Sequence, residues 1–466
     1  MRVRRQLHLG VASALILGAA TDGGAQSSDR LTRPTVILSG SPLSSAAASA
    51  RTDSAPVSRA EVDRRGADVF GDALPVTLPP SANADSGASE PTWDMDVRSY
   101  ETQERVSHYV ALFSGRSRAR IAERLSAGSR YQPMIRAAMR AGGIPEDMYY
   151  LALVESGFDP HAYSRAAAVG MWQFMTSTAR DMGMRVDWWV DERRDPVRST
   201  SAAVRLIRGL RDQFGSLYLA AAAYNGGPGR VARGLVKYAD DMQGAGGDDA
   251  FFLLAEKDYL KHETRDYVPQ LIAAALVGKE PARYGMELQV QAPYAYDSVR
   301  VPAGTPLAAV ASASRVATVE VSELNPHLLR GMTPPHEVWL VRVPVGSAAS
   351  FDSLFSALPA PDRIATKVVE SRKGDTAERL ATERGIPAAS LRSFNPRLRT
   401  LKSGRLAPGQ AILLPTAAVA AAARNVPDPA VEKYPRSTKR VKLHTVKKGK
   451  NGGAKARGKS KATAAK

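Results

Sequence analysis

Glu155 is the first residue in this chain whose type and setting could do chemistry. It closes the apolar stretch Leu151-Ala-Leu-Val-Glu155, just before Ser156-Gly157-Phe158-Asp159-Pro160. Ala152, Leu151 and Met148 lie three, four and seven positions back, so they share its helix face. Gly157 is a natural helix stop and Asp159-Pro160 is turn chemistry. A carboxylate held among apolar groups has its pKa raised and can serve as a general acid near neutral pH. The same pattern also describes a helix-end glutamate that simply reaches water. Asp159 is the nearest second acid, across a turn, where it is expected to cap or shape the loop.

Other polar groups stand near glycine. Gln173 follows Gly170, which allows close backbone approach; Gln173 carries both a donor and an acceptor for a ligand's amide or hydroxyl. Ser164 lies between Glu155 and Gly170, as a hydrogen-bonding residue or a plain turn serine. Met175 would pack near a ligand or simply start a helix. Tyr224-Asn225 falls at a helix end before Gly226-Gly227, where a sharp turn exposes Tyr224 to a groove. Tyr267 lies one turn after Glu263, so both face the same way. Trp172 reads as a core residue or a flat ligand platform. Trp188-Trp189 reads as an aromatic ligand platform or a packing corner.

These residues need elements to hold them. Val97, Tyr100, Val106, Tyr109, Val110 and Phe113 fit one helical stripe. Ile121 and Leu125 fit a second, and Met134, Ile135 and Met139 a third. Pro145 opens the Glu155 helix at a favoured first-turn position. Met171–Met182, Val197–Phe214, Leu217–Tyr224, Val231–Tyr238 and Thr264–Val277 are helical in pattern, and Gly244–Asp249 interrupts them. No strand alternation stands out between 94 and 280, so 93–282 is expected to be one all-α domain.

Beyond it the texture changes to short β-branched runs, short helices and Asn-Pro turns. Two copies of one repeat follow. Thr305, Asn325-Pro326 and Pro344 recur as Thr376, Asn395-Pro396 and Pro415, with 39 residues from opening Thr to closing Pro each time. Each copy predicts strand, helix, helix, strand, with Thr305 or Asp375/Thr376 as helix N-cap and Gly385 ending a helix. The boundaries expected are 283–362 and 363–416.

The ends read differently. Arg2, Arg4 and Arg5 precede an apolar stretch, Leu7 to Ala20, too short to span a bilayer comfortably; with Gly23-Gly24-Ala25 this reads as a secretory signal over 1–25. Residues 26–92, rich in Ser, Ala, Pro, Asp and Arg, read as a disordered linker. Residues 417–466 read as a disordered basic tail. The chain of 466 residues has a net charge of +18, but 433–466 alone hold 13 Lys and Arg and no acid. The basic character therefore belongs to the tail. An exported protein rarely meets nucleic acid, so anionic wall polymers or a membrane surface are the tail's expected partners. His444-Thr-Val-Lys-Lys-Gly449 resembles a further repeat opening. With no Cys there is no disulfide, thiolate site or lipid-modified cysteine, and the seven His lack metal-ligand spacing. No metal and no cofactor are expected.

Four motifs occur in order: Glu155-Ser156, Gly170-Met-Trp-Gln-Phe-Met175, Ala223-Tyr-Asn-Gly-Gly227 and Glu263-Thr-Arg-Asp-Tyr-Val-Pro269. Together they resemble the catalytic domain of the soluble-lytic-transglycosylase superfamily over roughly 97–280. The repeats resemble LysM modules. Lys373-Gly-Asp-Thr376, Phe394-Asn-Pro396 and Leu406-Ala-Pro-Gly-Gln410 carry the second match; the first copy is degenerate. The resemblance implies a lysozyme-like fold cleaving the β-1,4 bond between N-acetylmuramic acid and N-acetylglucosamine in peptidoglycan. It makes Glu155 the catalytic acid and base, and Ser164, Gly170, Gln173, Met175, Tyr224, Asn225 and Tyr267 the substrate-binding set. Glu263 is read as a brace.

Ordinary glycosidases use two carboxylates about 5–5.5 Å or about 6.5–9.5 Å apart. No second acid shares the Glu155 helix face. One suffices if the substrate supplies its own nucleophile at high effective concentration. The resemblance implies this route, with a 1,6-anhydro product and no water consumed. A goose-type-lysozyme-like hydrolase and a non-enzymatic wall-binding protein remain the alternatives. An exported protein of the periplasm or envelope, without a lipid anchor, is the expected setting.

Overall fold

The computed structural model describes residues 93–424 with Val426, Asp428 and Pro429. The signal, the linker over 26–92, the basic tail proper and the repeat-like opening at His444 lie outside the described residues.

The first ten helices build the large core. They are α1 (Glu104–Ser114), α2 (Arg118–Gly128), α3 (Gln132–Ala141), α4 (Tyr149–Glu155), α5 (Thr176–Asp181), α6 (Pro196–Phe214), α7 (Leu217–Gly226), α8 (Pro228–Lys237), α9 (Asp249–Glu256) and α10 (His262–Lys279). α10 packs against α1, α4 and α7, and α6 packs against α7 and α3. α7 buries Leu217 through Ala223, and α10 buries nearly every residue from Tyr267 to Val277. Helices apolar on all sides belong in the middle of a core. Their alanines, Ala220–Ala223 and Ala273–Ala275, let the backbones approach. Sequence also explains the helix ends. Asp195 accepts from Val197 N and Arg198 N ahead of Pro196, and Ser216 accepts from Leu219 N after left-handed Gly215.

Four local expectations change. Met171–Met182 is not one helix. Only Thr176–Asp181 is helical, because Gly170 at φ +82° and Gln173 at φ +48° break the period and Val169 bridges both Tyr163 and Phe174. Pro145 precedes a 3-10 turn, Glu146–Met148, rather than starting α4 itself. α9 follows the Gly-rich interruption. Met286 and Tyr294 are buried in the helical core, so the chain stays with that core past 282.

Two small units follow. In the first, β1 (Asp297–Val301) pairs antiparallel with β2 (Trp339–Val343), placing Val299 opposite Val341, around α11 (Leu307–Ser314) and α12 (Thr318–Leu324); α13 (Phe351–Ala357) covers α11. In the second, β3 (Thr366–Glu370) pairs antiparallel with β4 (Ala411–Pro415), around α14 (Ala377–Thr382) and α15 (Ala388–Phe394). The Asn-Pro signature has the same role in both. Asn325 donates to the Val321 and Arg342 carbonyls at 2.8 and 2.7 Å and accepts from Arg342 N at 2.9 Å. Asn395 does the same with Leu391 and Leu413, all at 2.8 Å. One side-chain amide thus ties the second helix to the closing strand each time.

The helix starts differ between copies. Thr376 caps α14 by accepting from Arg379 N. Thr305 does not cap α11; its hydroxyl donates to the Pro302 carbonyl, and Pro306 occupies the cap position. Order also continues past 416, where Thr416 caps α16 (Ala417–Ala423), which buries Val419, Ala420 and Ala423. The expected tail therefore begins later.

The first unit is fixed to the helical core. Asp191 N donates to the His327 carbonyl, and Leu329 N to the Trp189 carbonyl. Buried Asp195 pairs with Arg342 at 2.8 Å. Burial resists the charge on Asp195, but the Arg342 guanidinium overrides it and holds the carboxyl at about 2.

Candidate active site

α4 delivers Glu155 as its last residue. The chain then reverses through Gly157 at φ +70° and Phe158 at φ +63°. Phe158 tolerates this conformation because its ring is locked in the core. It stacks on Tyr149 at 4.5 Å, above Gly128, where an added Cβ would lie 2.2 Å from the ring. The Ser156 hydroxyl donates to the Met171 carbonyl at 2.9 Å and accepts from Asp159 N. It therefore joins the end of α4 to the Gly170 loop. Asp159 accepts from His161 N, which makes it a loop-shaping acid.

The Glu155 side chain is half-buried. Protein nevertheless surrounds the carboxyl closely enough that burial pushes it up to about 7, with nearby Glu263 adding to the rise and a hydrogen bond from Tyr267 opposing it. The Tyr267 hydroxyl donates to Glu155 Oε1 from α10. Tyr267 is 4% exposed, and its own hydroxyl is held protonated by burial and by the adjacent carboxyl. Tyr224, at the end of α7, is close enough for Glu155 to raise its pKa as well, after burial. Its hydroxyl donates to the Trp172 carbonyl at 2.7 Å. The structure thus brings Glu155, Tyr224 and Tyr267 together beside the Gly170 loop.

That loop is held from behind. Gly170 sits so close to the next segment that a Cβ would lie 1.9 Å from the Arg193 carbonyl oxygen. The close approach the glycine permits is to the protein's own backbone. Gln173 donates to the Gly170 carbonyl at 2.8 Å. Arg193, 1% exposed, pairs with Asp191 at 2.8 Å and donates to the carbonyls of Ala167 and Phe174 and to Thr176 Oγ1. Sequence reading missed Arg193. It lies in Asp191-Glu-Arg-Arg-Asp195, and a charge run ordinarily marks a solvated face. Its only signal is the demand of Gly170 for a close neighbour.

The remaining site residues are less convergent. Ser164 Oγ accepts from Ala168 N and closes its own turn. Met175 is half-buried at the start of α5. Asn225 accepts from the Thr264 hydroxyl, a bracing contact between α7 and α10. Trp172 is fully buried and donates to Thr200. Trp188 lies 3.6 Å under the Arg330 guanidinium, and both Trp188 and Trp189 meet Phe394 edge-on, so the tryptophan pair forms a packing corner. Among the described residues no group of His, Asp and Glu could hold a metal, and no helix is long and apolar enough to cross a membrane.

Residues 132–242 match the transglycosylase SLT domain family, and residues 295–360 match the LysM-like domain of lytic transglycosylase MltD. Over these residues the chain is similar to a transglycosylase SLT domain followed by an MltD-type LysM-like domain. The resemblance read from the four motifs is borne out at the level of the family. Three of those motifs lie inside the SLT match, and Glu263–Pro269 lies beyond it on α10. Membrane-bound lytic murein transglycosylase D of Escherichia coli K12 is 29% identical over 298 residues, covering 61% of this chain and 63% of that protein. The chain therefore spans under two thirds of that relative. Peptidoglycan transglycosylase gp16 of Escherichia phage T7 is 38% identical over 106 residues, 22% of this chain and 8% of that protein. The structure of lytic transglycosylase Slt from Pseudomonas aeruginosa overlaps 34% of this chain and 25% of its own, at 22% identity and a TM-score of 0.26.

Proposed function

We propose that this chain is an exported lytic transglycosylase that cleaves the β-1,4 bond between N-acetylmuramic acid and N-acetylglucosamine in peptidoglycan. The observation that carries this reading is the Glu155 carboxyl, raised to about 7 by burial and oriented by the Tyr267 hydroxyl. Protonated Glu155 gives its proton to the glycosidic oxygen as the bond to C1 breaks. The resulting carboxylate then takes the proton of the muramoyl C6 hydroxyl as that oxygen closes onto C1. The product carries a 1,6-anhydro ring and water is not consumed.

Ser164, Gly170, Gln173, Met175 and Tyr224 line the path of the glycan on this reading, and Asn225 braces the turn through Thr264. On this reading the catalytic domain starts at 93 and includes the segment past 282 that buries Met286 and Tyr294. The unit at 363–416 is a second LysM module, supported by the amide tie that Asn395 shares with Asn325. Both units hold the enzyme on its polymer within the envelope.

A second reading, hydrolysis as in goose-type lysozymes, draws on one observation: exposed Glu263 lies near enough for its charge to raise Glu155. A second carboxylate that activates water would occupy such a position. Mass spectrometry of purified peptidoglycan digested by the full chain separates the two. Anhydro-muramoyl ends support the first reading, and reducing ends support the second. No digestion leaves the non-enzymatic alternative.

A further inference from the structure

The helix that ends in Glu155 begins without a cap of its own. The 3-10 turn that leads into it, Glu146–Met148, follows Pro145, whose side chain has nothing to accept with. Helix starts leave backbone N–H groups unpaired, and a carboxylate placed there stabilises them and the helix dipole. Here the carboxylate comes from 52 residues upstream. Asp94 accepts from Glu146 N and, at 3.1 Å, from Asp147 N. In return Asp94 N donates to Asp147 Oδ2 at 3.2 Å. This is a capping box made in trans.

Asp147 carries the tie onward. It is fully buried and bonds Lys279, the last residue of α10, at 2.6 and 2.7 Å; Arg136 lies 3.4 Å away. Trp93 lies under the Lys279 ammonium at 4.6 Å and the Arg98 guanidinium at 5.1 Å. α4 and α10 are thus joined twice. Asp94, Asp147 and Lys279 join them at one end. Glu155 and Tyr267 join them roughly 12–18 Å along, by the helical rise.

We infer that Asp94 is a positioning residue that caps the Glu155 helix from outside and, through Asp147 and Lys279, sets the register in which Glu155 meets Tyr267. This rests on the catalytic reading of Glu155. Asp94 caps as a charged carboxylate. Burial works against that charge, but a hydrogen bond with the Asp147 carboxyl, then those from Glu146 N and Asp147 N and the Lys279 charge, hold its pKa below the usual value.

The test uses the full chain on purified peptidoglycan, with D94A, D94N and K279M. D94A is expected to lower kcat about tenfold through misplacement of Glu155, with KM changed less than about twofold. The alkaline limb of its pH profile should move away from the wild-type position as the Glu155–Tyr267 contact loosens. D94N keeps one acceptor oxygen and should recover most of kcat and the profile. K279M, which releases the other helix, should show the same split between kcat and KM and carries the test alone if D94A does not fold. A lower melting temperature with kcat per folded molecule and the pH profile unmoved would overturn the inference. A wild-type chain that cleaves nothing would instead overturn the functional reading beneath it.

Discussion

The Tyr267 hydroxyl donates to Glu155 Oε1 across 112 residues of sequence, from the middle of a buried helix to the last residue of a short one. That bond does two things at once. It fixes the direction of the carboxyl, and it moderates the rise in pKa that burial imposes.

Tyr267→Phe should separate the two effects. Without the hydroxyl, burial acts unopposed, so the alkaline limb of the pH–activity profile should move above about 7. The rate at the optimum should fall ~10–100-fold because the acid is no longer aimed. A pH–rate series on purified peptidoglycan checks both. A limb that moves to lower pH would contradict the assignment.

The buried acid also has a cost in stability. The folded pKa of Glu155, about 7, lies above its ordinary value of 4.5. Between these values the unfolded chain is charged while the folded chain stays protonated, so the wild type loses stability as pH rises through that window. Glu155→Gln does not titrate. Its advantage over wild type should be near zero at pH ~4 and grow to at most about 3 kcal/mol above pH ~7. Urea denaturation at a series of pH values measures the difference, and a constant difference would refute the shift.

Gly170→Ala tests the wall behind the loop. The residue sits at φ +82°, and its Cβ would lie 1.9 Å from the Arg193 carbonyl oxygen, a backbone atom that cannot rotate away. Strain and collision together should cost about 2–5 kcal/mol. Activity should fall further than stability alone explains, because the Trp172 carbonyl that receives Tyr224 is part of the displaced loop. Thermal unfolding with activity measured on the folded fraction decides it.

What could be read from sequence was local. The apolar face and glycine stop placed Glu155 at a helix end, and the glycines after Asn225 placed Tyr224 at another. The recurring Asn-Pro marked two units, whose shared tie from Asn325 and Asn395 to the closing strands explains why the asparagine recurs. What stayed hidden depends on contacts between distant residues. Arg193 and Asp191 sit in a charge run, a pattern that carries no local signal of burial, yet both are buried. Asp195 caps α6 and is also the buried partner of Arg342, 147 residues away, a role no local pattern shows. The Met171 helix was misread because a helical period cannot register the two left-handed residues that turn that segment into a loop. α16 was hidden in a tract of alanine whose burial depends on the unit it packs against.

The central claim is that one carboxyl, Glu155, carries the proton in both directions. The direct measurement is digestion of purified peptidoglycan by wild type and Glu155→Gln side by side, with products followed by mass spectrometry and wall binding by co-sedimentation. Wild type should release anhydro-muramoyl products, while the variant should release none and still co-sediment. Cleavage retained by the variant would contradict the account.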